Sequence, residues 1–246
     1  MRLIKSVDDS GGVPQATRDA RLVVADRTRL LRRAVGVLLF VFIGGLALHL
    51  RVVDLLHRPL PAPAQVGSAD QFYFAYGSNM PTRYLYNVRG VLPAESNPGF
   101  INDYEVSFLS SGLRVLEPAF SFLYRSEGKK AYGVLHRVSS EDLVKIKASE
   151  GALYQWRTLS VVLNHGQVVG AQTLVRLSPG EAGVPSERYL NLLIEGATEH
   201  GLPSAYIAQL RALPSAYVPV LSELTGAALQ AVVMIRSGKC TWLLSC

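Results

Sequence analysis

Apolar and polar positions divide this chain into five stretches with different rhythms. Residues 34–50 (Ala-Val-Gly-Val-Leu-Leu-Phe-Val-Phe-Ile-Gly-Gly-Leu-Ala-Leu-His-Leu) form an unbroken apolar run without a formal charge. Seventeen residues of helix reach about 25 Å, the short limit for crossing a bilayer, and a following arginine extends that reach by snorkelling. With Arg33 before it and Arg51 after it, the run predicts a transmembrane helix over 34–51. Residues 1–33 show no apolar period and predict a basic, disordered tail. Residues 52–70 are predicted to be a proline-rich linker, stiffened by Pro59, Pro61 and Pro63. Beyond residue 70 the pattern is that of a folded domain, 71–236, followed by a tail at 237–246.

Within that domain, period-two alternation marks strands at 71–76, 103–109, 119–124, 131–137, 157–163 and 168–177. Lys129-Lys130 is read as a turn, and Asn164-His165-Gly166 as the reversal of a 157–177 hairpin. Helical signals come later. Ser139 and Ser140 cap a short helix closed by Gly151, and Ser186 caps a longer one to residue 200. The longer one has an apolar face at Tyr189, Leu192, Leu193 and Ala197. Ser204 opens a second helix, and 219–236 reads as a further one. Antiparallel strands followed by helices define an α+β domain.

Charge refines the picture. Residues 1–33 hold eight basic and four acidic side chains, so four of the six net positive charges precede the apolar run. The folded part therefore lacks the basic face of a nucleic-acid binder. Arg27, Arg29, Arg32 and Arg33 outweigh Arg51 and Arg58, the latter offset by Asp54, which places the N-terminus in the cytoplasm and the domain on the exocytoplasmic side. A cleaved signal peptide would need a basic region of unusual length. The five histidines (His49, His57, His136, His165, His200) have no metal-ligand spacing, so no metal site is expected. No Gly-x-Ser-x-Gly elbow occurs. Cys240 and Cys246 are either a pair in an oxidising compartment or two free thiols.

The most telling chemistry lies where an aromatic strand stops at a tight loop: Phe72-Tyr73-Phe74-Ala75-Tyr76-Gly77-Ser78-Asn79-Met80, then Pro81. Asn79 is a suitable N-cap, and a strand-to-helix junction of this type aims backbone N–H groups at one point, favouring an anionic group. Three further pieces follow in order: Ala131-Tyr132-Gly133-Val134-Leu135; Ser149-Glu150-Gly151; and Pro185-Ser186-Glu187-Arg188-Tyr189 running into Glu195-Gly196-Ala197 and His200-Gly201-Leu202-Pro203. Together they resemble the γ-glutamylcyclotransferase family over about residues 71–213.

The resemblance implies a mixed, barrel-like sheet with flanking helices. It implies cleavage of a small-molecule γ-glutamyl amide to 5-oxoproline and an amine or amino acid, without cofactor. It places Tyr73, Phe74, Ala75, Tyr76, Gly77, Ser78, Asn79 and Tyr189 around the substrate and makes Glu150 the catalytic acid/base. Glu150 ends a short helix, whose carbonyls would raise its pKa unless Lys145 or Lys147 lies near. Two departures touch the amine side: Glu117-Pro118-Ala119-Phe120-Ser121-Phe122 replaces a small-residue strand, and either Tyr154 or Trp156 stands for a family tyrosine. A non-catalytic ligand-binding member of the fold and a γ-glutamylamine cyclotransferase or acyl-transfer enzyme remain the alternative readings. The sequence leaves oligomeric state open.

Overall fold

The computed structural model describes residues 15–62, 70–113, 116–150, 154–176 and 180–239. Gly151 and the two cysteines lie outside the described residues. The elements run α1 (Gln15–Leu56), β1 (Gln71–Ala75), α2 (Thr82–Arg89), β2 (Glu95–Leu113), β3 (Glu117–Val138) and α3 (Ser140–Ser149). They continue as β4 (Gln155–Leu163), β5 (Val168–Val175), α4 (Glu187–Glu199), α5 (Ser204–Arg211) and α6 (Leu221–Arg236).

By its contacts the chain forms two units that divide between Leu46 and Ala47. The first holds most of α1. Helix starts at Gln15, inside the tail predicted to be disordered, and continues through Leu56, into the predicted linker. Its segment Arg33–Leu56 has mean hydropathy 2.2 and only 6% of its most apolar window is buried, so it is long and apolar enough to cross a membrane.

In the second unit five strands close a barrel in the order β1-β3-β2-β4-β5, completed by a parallel pairing of Tyr73 with Gln172. The sheet splits the core in two. Phe74, Tyr76, Ile101, Leu123, Leu135, Val161 and Leu174 fill the barrel, while Tyr73, Ala75, Val134 and Val138 face outward onto Leu143, Ile146, Leu190 and Leu193 of the helices. Gly133 makes the crossing of β1 and β3 feasible: a Cβ there would lie 2.4 Å from the Ala75 carbonyl oxygen and 2.6 Å from the Phe74 ring. A smaller cluster joins Leu55 of α1 to Tyr84 and Val88 of α2 and Met234 of α6. Asn87 Nδ2 donates to the Leu56 carbonyl at 3.0 Å and so ties off the end of α1.

The predicted strands 119–124 and 131–137 are one strand. Lys129-Lys130 does not reverse the chain; β3 bulges there, against a break in register between Asn102 and Tyr104 of β2. Asp103 (φ 59) and Gly128 (φ 74) take up the bulge, with the Gly128 N–H donating to Asp103 Oδ1 at 2.9 Å. The 157–177 hairpin forms as β4–β5.

Candidate functional site

A cavity of about 330 Å³ opens where the loop after β1 meets α2, α3, α4 and α6. Gly77, Ser78 and Asn79 line it, with Tyr73, Tyr76, Glu150 and Tyr189. Phe74 and Ala75, expected beside the substrate, are not on its wall. Phe74 is fully buried in the barrel core and Ala75 in the core beneath the helices.

The loop is short because it is pinned. Met80 N–H donates to the Gly77 carbonyl at 3.0 Å. His136 Nε2 donates to the Asn79 carbonyl at 3.1 Å, and His200 Nε2 donates to the Met80 carbonyl at 3.0 Å. These roles require a proton on Nε2 of each ring, and Ser96 Oγ, 2.8 Å away, then donates to His136 Nδ1. Burial, reinforced by His200, pushes His136 down to about 3, so it stays neutral at ordinary pH. With the carbonyls held on one side, the N–H groups of Gly77, Ser78 and Asn79 donate to nothing among the described residues. Gly77 also admits its neighbours, since a Cβ there would sit 2.6 Å from Ser121 Oγ and 2.9 Å from the Tyr189 hydroxyl.

Asn79 is not the helix cap. Pro81 holds that position without a side-chain cap, and the Thr82 N–H is met by the Glu199 carboxylate at 3.2 Å. The buried Asn79 amide serves the cavity instead. Its Nδ2 donates to the Tyr73 hydroxyl at 2.8 Å and to Glu150 Oε1 at 3.1 Å. Its Oδ1 accepts from Arg89 Nε. The same guanidinium donates to Ser149 Oγ and, through Nη2 at 2.9 Å, to Glu150 Oε1. Burial disfavours the charge of Arg89, but Glu150 together with Tyr84, Tyr73 and Tyr189 offsets it and the net shift is upward. Arg89 thus completes the corner, and the sequence reading missed it. Its only signal was a basic residue in the last helical turn before Gly90, which caps α2 at φ 70.

Glu150 is the C-cap of α3, extended at φ −82 and ψ 155. Its side chain is 13% exposed, and Oε2 has no hydrogen-bond partner among the described residues. The nearby lysines do not reach it. Lys145 pairs with Asp142 at 2.9 Å and Glu141 at 3.1 Å, and Lys147 lies over the Trp156 ring.

Tyr189 reaches the cavity from the first turn of α4, where its N–H donates to Ser186 Oγ at 3.1 Å. Its hydroxyl meets Ser121 Oγ at 2.6 Å and accepts from the Ser121 N–H at 3.2 Å. Burial raises Tyr189 to about 12 even though the Ser121 bonds oppose the shift. Burial likewise pushes Tyr73 up, reinforced by the Glu150 charge. The aromatic beside the site is Tyr154, whose hydroxyl donates to the Ser121 carbonyl at 3.1 Å and whose ring stacks on Phe122 at 4.7 Å. Trp156 packs on Tyr73 instead. No group of three or more metal-ligating side chains occurs among the described residues.

The arrangement offers free main-chain donors at one end of a cavity and one half-free carboxylate beside them. It suits an amide substrate that needs an oxyanion held and a proton moved. The class is a closed-barrel α+β domain with its site at the strand-to-helix loop. Residues 130–210 match the model of the AIG2-like family. The human γ-glutamylcyclotransferase is 25% identical over 147 residues, 57% of this chain and 77% of that protein. A γ-glutamyl cyclotransferase of Aspergillus oryzae, aclK, is 25% identical over 167 residues, 57% of this chain and 60% of that protein. The same fold occurs in a solved γ-glutamyl cyclotransferase, with TM-score 0.54, 21% identity and coverage of 61% of this chain and 91% of that one. It also occurs in an uncharacterized human protein, with TM-score 0.56, 22% identity and coverage of 66% and 99%. The chain is thus similar in sequence to the AIG2-like family and to γ-glutamylcyclotransferases, and it shares the fold of a solved γ-glutamyl cyclotransferase.

Proposed function

We propose that the domain is a γ-glutamylcyclotransferase-type enzyme, and that Glu150 is its acid/base. The observation that supports this most is Glu150 Oε2, without a hydrogen-bond partner among the described residues, in a cavity shared with the free N–H groups of the Gly77–Asn79 loop. The substrate's own α-amine attacks its γ-carbonyl. Tethering makes that closure fast once the folded conformer is held. Oε2 takes a proton from the attacking nitrogen as the lactam C–N bond forms. Loop N–H groups carry the developing oxyanion. The same carboxyl then protonates the departing nitrogen as the amide C–N bond breaks, leaving 5-oxoproline and a free amine with no water consumed. Arg89 and Asn79 fix Oε1 and so keep the other oxygen aimed at the substrate.

A panel of γ-glutamyl amino acids and γ-glutamyl amines, monitored for 5-oxoproline and for glutamate, tests the reading. Release of 5-oxoproline with matching free amine supports it. Release of glutamate, or binding without turnover across the panel, overturns it. We further propose that α1 anchors the enzyme as a single-pass span around 34–51, with the domain exocytoplasmic. Protease accessibility on sealed vesicles of known orientation decides the side: a domain protected from protease added at the exocytoplasmic face contradicts it.

A further inference from the structure

The last turns of α1 do not lead into a free linker. Val52 and Leu55 are buried, and Leu55 packs with Tyr84 and Val88 of α2 and Met234 of α6. One helical turn earlier, Leu48 and His49 are already half-buried. His49 lines a second cavity together with Tyr217, Ser222 and Glu223, at the turn that opens α6. His49 also belongs to the apolar run 34–50. The start of α6 therefore stands beside the last residues of the proposed span. Both α1 and this turn lie outside residues 130–210, the stretch that matches the family model.

That turn presents apolar side chains to the outside. Tyr217 is 49% exposed, Val220 51% and Leu221 52%. Between Arg211 and Arg236 the only formal charge is Glu223, and the Tyr217 hydroxyl donates to it. The backbone is fastened, so these side chains cannot fold away. Ala216 N–H donates to the Pro185 carbonyl at 2.8 Å, and the Ala216 carbonyl accepts from Glu187 N–H at 3.0 Å, which ties the segment to the start of α4. Val218 N–H donates to Ser222 Oγ at 2.9 Å. Helix α6 reverses the usual polarity of a surface helix: Ser222 and Gln230 are buried while Leu221, Val232 and Ile235 stand outward. Aliphatic side chains turned outward next to a tyrosine, with polar groups turned inward, make a surface suited to the boundary between headgroups and acyl chains.

We propose that Tyr217, Val220 and Leu221 form a seat that enters the interfacial layer of the bilayer crossed by α1, so that the domain rests on the membrane in one orientation instead of swinging on a tether. A bilayer that takes in the run 34–50 reaches His49 and Leu50, the latter 60% exposed, and the seat stands beside His49. Lipid is favoured over a second copy of the chain as the occupant, because the span brings lipid to His49 whatever else binds. The inference rests on the reading of α1 as a span and is independent of the reaction.

The test uses the full chain in phosphatidylcholine vesicles, in a Cys240→Ser/Cys246→Ser background. Phe40→Cys, Leu221→Cys and Val168→Cys are each labelled with an environment-sensitive fluorophore. Phe40 lies inside the span; Val168, at the turn end of the β4–β5 hairpin, is the reference. All three side chains are exposed, so labelling leaves the core intact. Quenching is measured with lipids that carry a nitroxide near the headgroup or near the bilayer centre, and with aqueous iodide. The shallow nitroxide is expected to quench the Leu221 label about threefold or more above the Val168 label, with iodide quenching correspondingly weaker. A Leu221 label that is open to iodide and no more lipid-quenched than Val168 overturns the proposal. So does one shielded from iodide yet out of reach of lipid nitroxides, which assigns the surface to a protein contact. No quenching of the Phe40 label by the central nitroxide refutes the span and the seat with it, whereas quenching at Phe40 without quenching at Leu221 refutes the seat alone.

Discussion

Arg89→Met probes the buried corner that aims Glu150. The substitution keeps most of the stem volume and removes the donors to Asn79, Ser149 and Glu150. Ser149 loses least, because its hydroxyl still donates to the Ile146 carbonyl at 2.8 Å. Glu150 Oε1 keeps only the Asn79 amide at 3.1 Å. Breaking a buried ion pair by deleting one partner costs about 3–5 kcal/mol. The 13% exposure of Glu150 and its remaining amide donor place this loss near the lower figure, about 3 kcal/mol. For a domain of this size that is a fall of about 6–12 °C in Tm. Most of the cost comes from stranding the carboxylate, so Glu150→Gln in the same chain should restore part of it. The double variant should be more stable than the sum of the single losses by about 2 kcal/mol. Thermal unfolding of the four proteins in one detergent, followed by circular dichroism, closes the cycle. Losses that add to within about 0.5 kcal/mol would refute the coupling, and with it the claim that Arg89 orients Glu150.

Further outcomes follow from the same geometry. Gly77→Ala puts a methyl group against Ser121 Oγ and the Tyr189 hydroxyl, at 2.6 and 2.9 Å, so kcat/KM should fall at least tenfold with Tm lowered by only a few degrees. Gly196→Ala should destabilise the fold by about 1–3 kcal/mol, because its Cβ would meet Met80 Cβ at 2.5 Å and the Pro81 backbone nitrogen at 2.7 Å; urea unfolding measures it. His136 gives a pH signature. Its pKa is about 3 folded and 6.5 as the reference, so between those values the unfolded chain binds the extra proton. Stability from His136 is therefore fully present above pH 6.5 and falls on acidification, by at most about 1.4 kcal/mol per pH unit until about pH 3. Urea midpoints at pH 7 and pH 4.5 should show a shallower fall in His136→Asn than in the wild type.

The sequence carries some of this site openly and hides the rest in packing. The Gly77-Ser78-Asn79 loop was legible because an aromatic strand ending in three small or polar residues is a local pattern. Ser186 and Tyr189 were legible for the same reason, through a cap and an apolar face one turn on. Phe74 and Ala75 were included with their neighbours; alternation puts them on opposite faces, Phe74 with Tyr76 and Ala75 with Tyr73, and only the packing of the two cores takes both off the cavity wall. Asn79 read as a cap because its local chemistry permits one; only the arrival of Arg89, ten residues downstream, gives its amide another use. Ser121 and His136 likewise acquire roles only when β3 closes the barrel beside β1. The long β2–β3 ribbon was cut at Lys129-Lys130 because a bulge and a turn share the same residues, Asp and Gly at positive φ.

Glu150→Gln offers the most direct measurement, because it keeps the size of the side chain and its acceptor toward Arg89 while removing the proton carrier. With the preferred γ-glutamyl substrate, 5-oxoproline release should fall by a factor of about 10²–10⁴, while affinity for 5-oxoproline, read by calorimetry, changes less than about threefold. Turnover within tenfold of the wild type would contradict the assignment of the proton transfers to that carboxyl group.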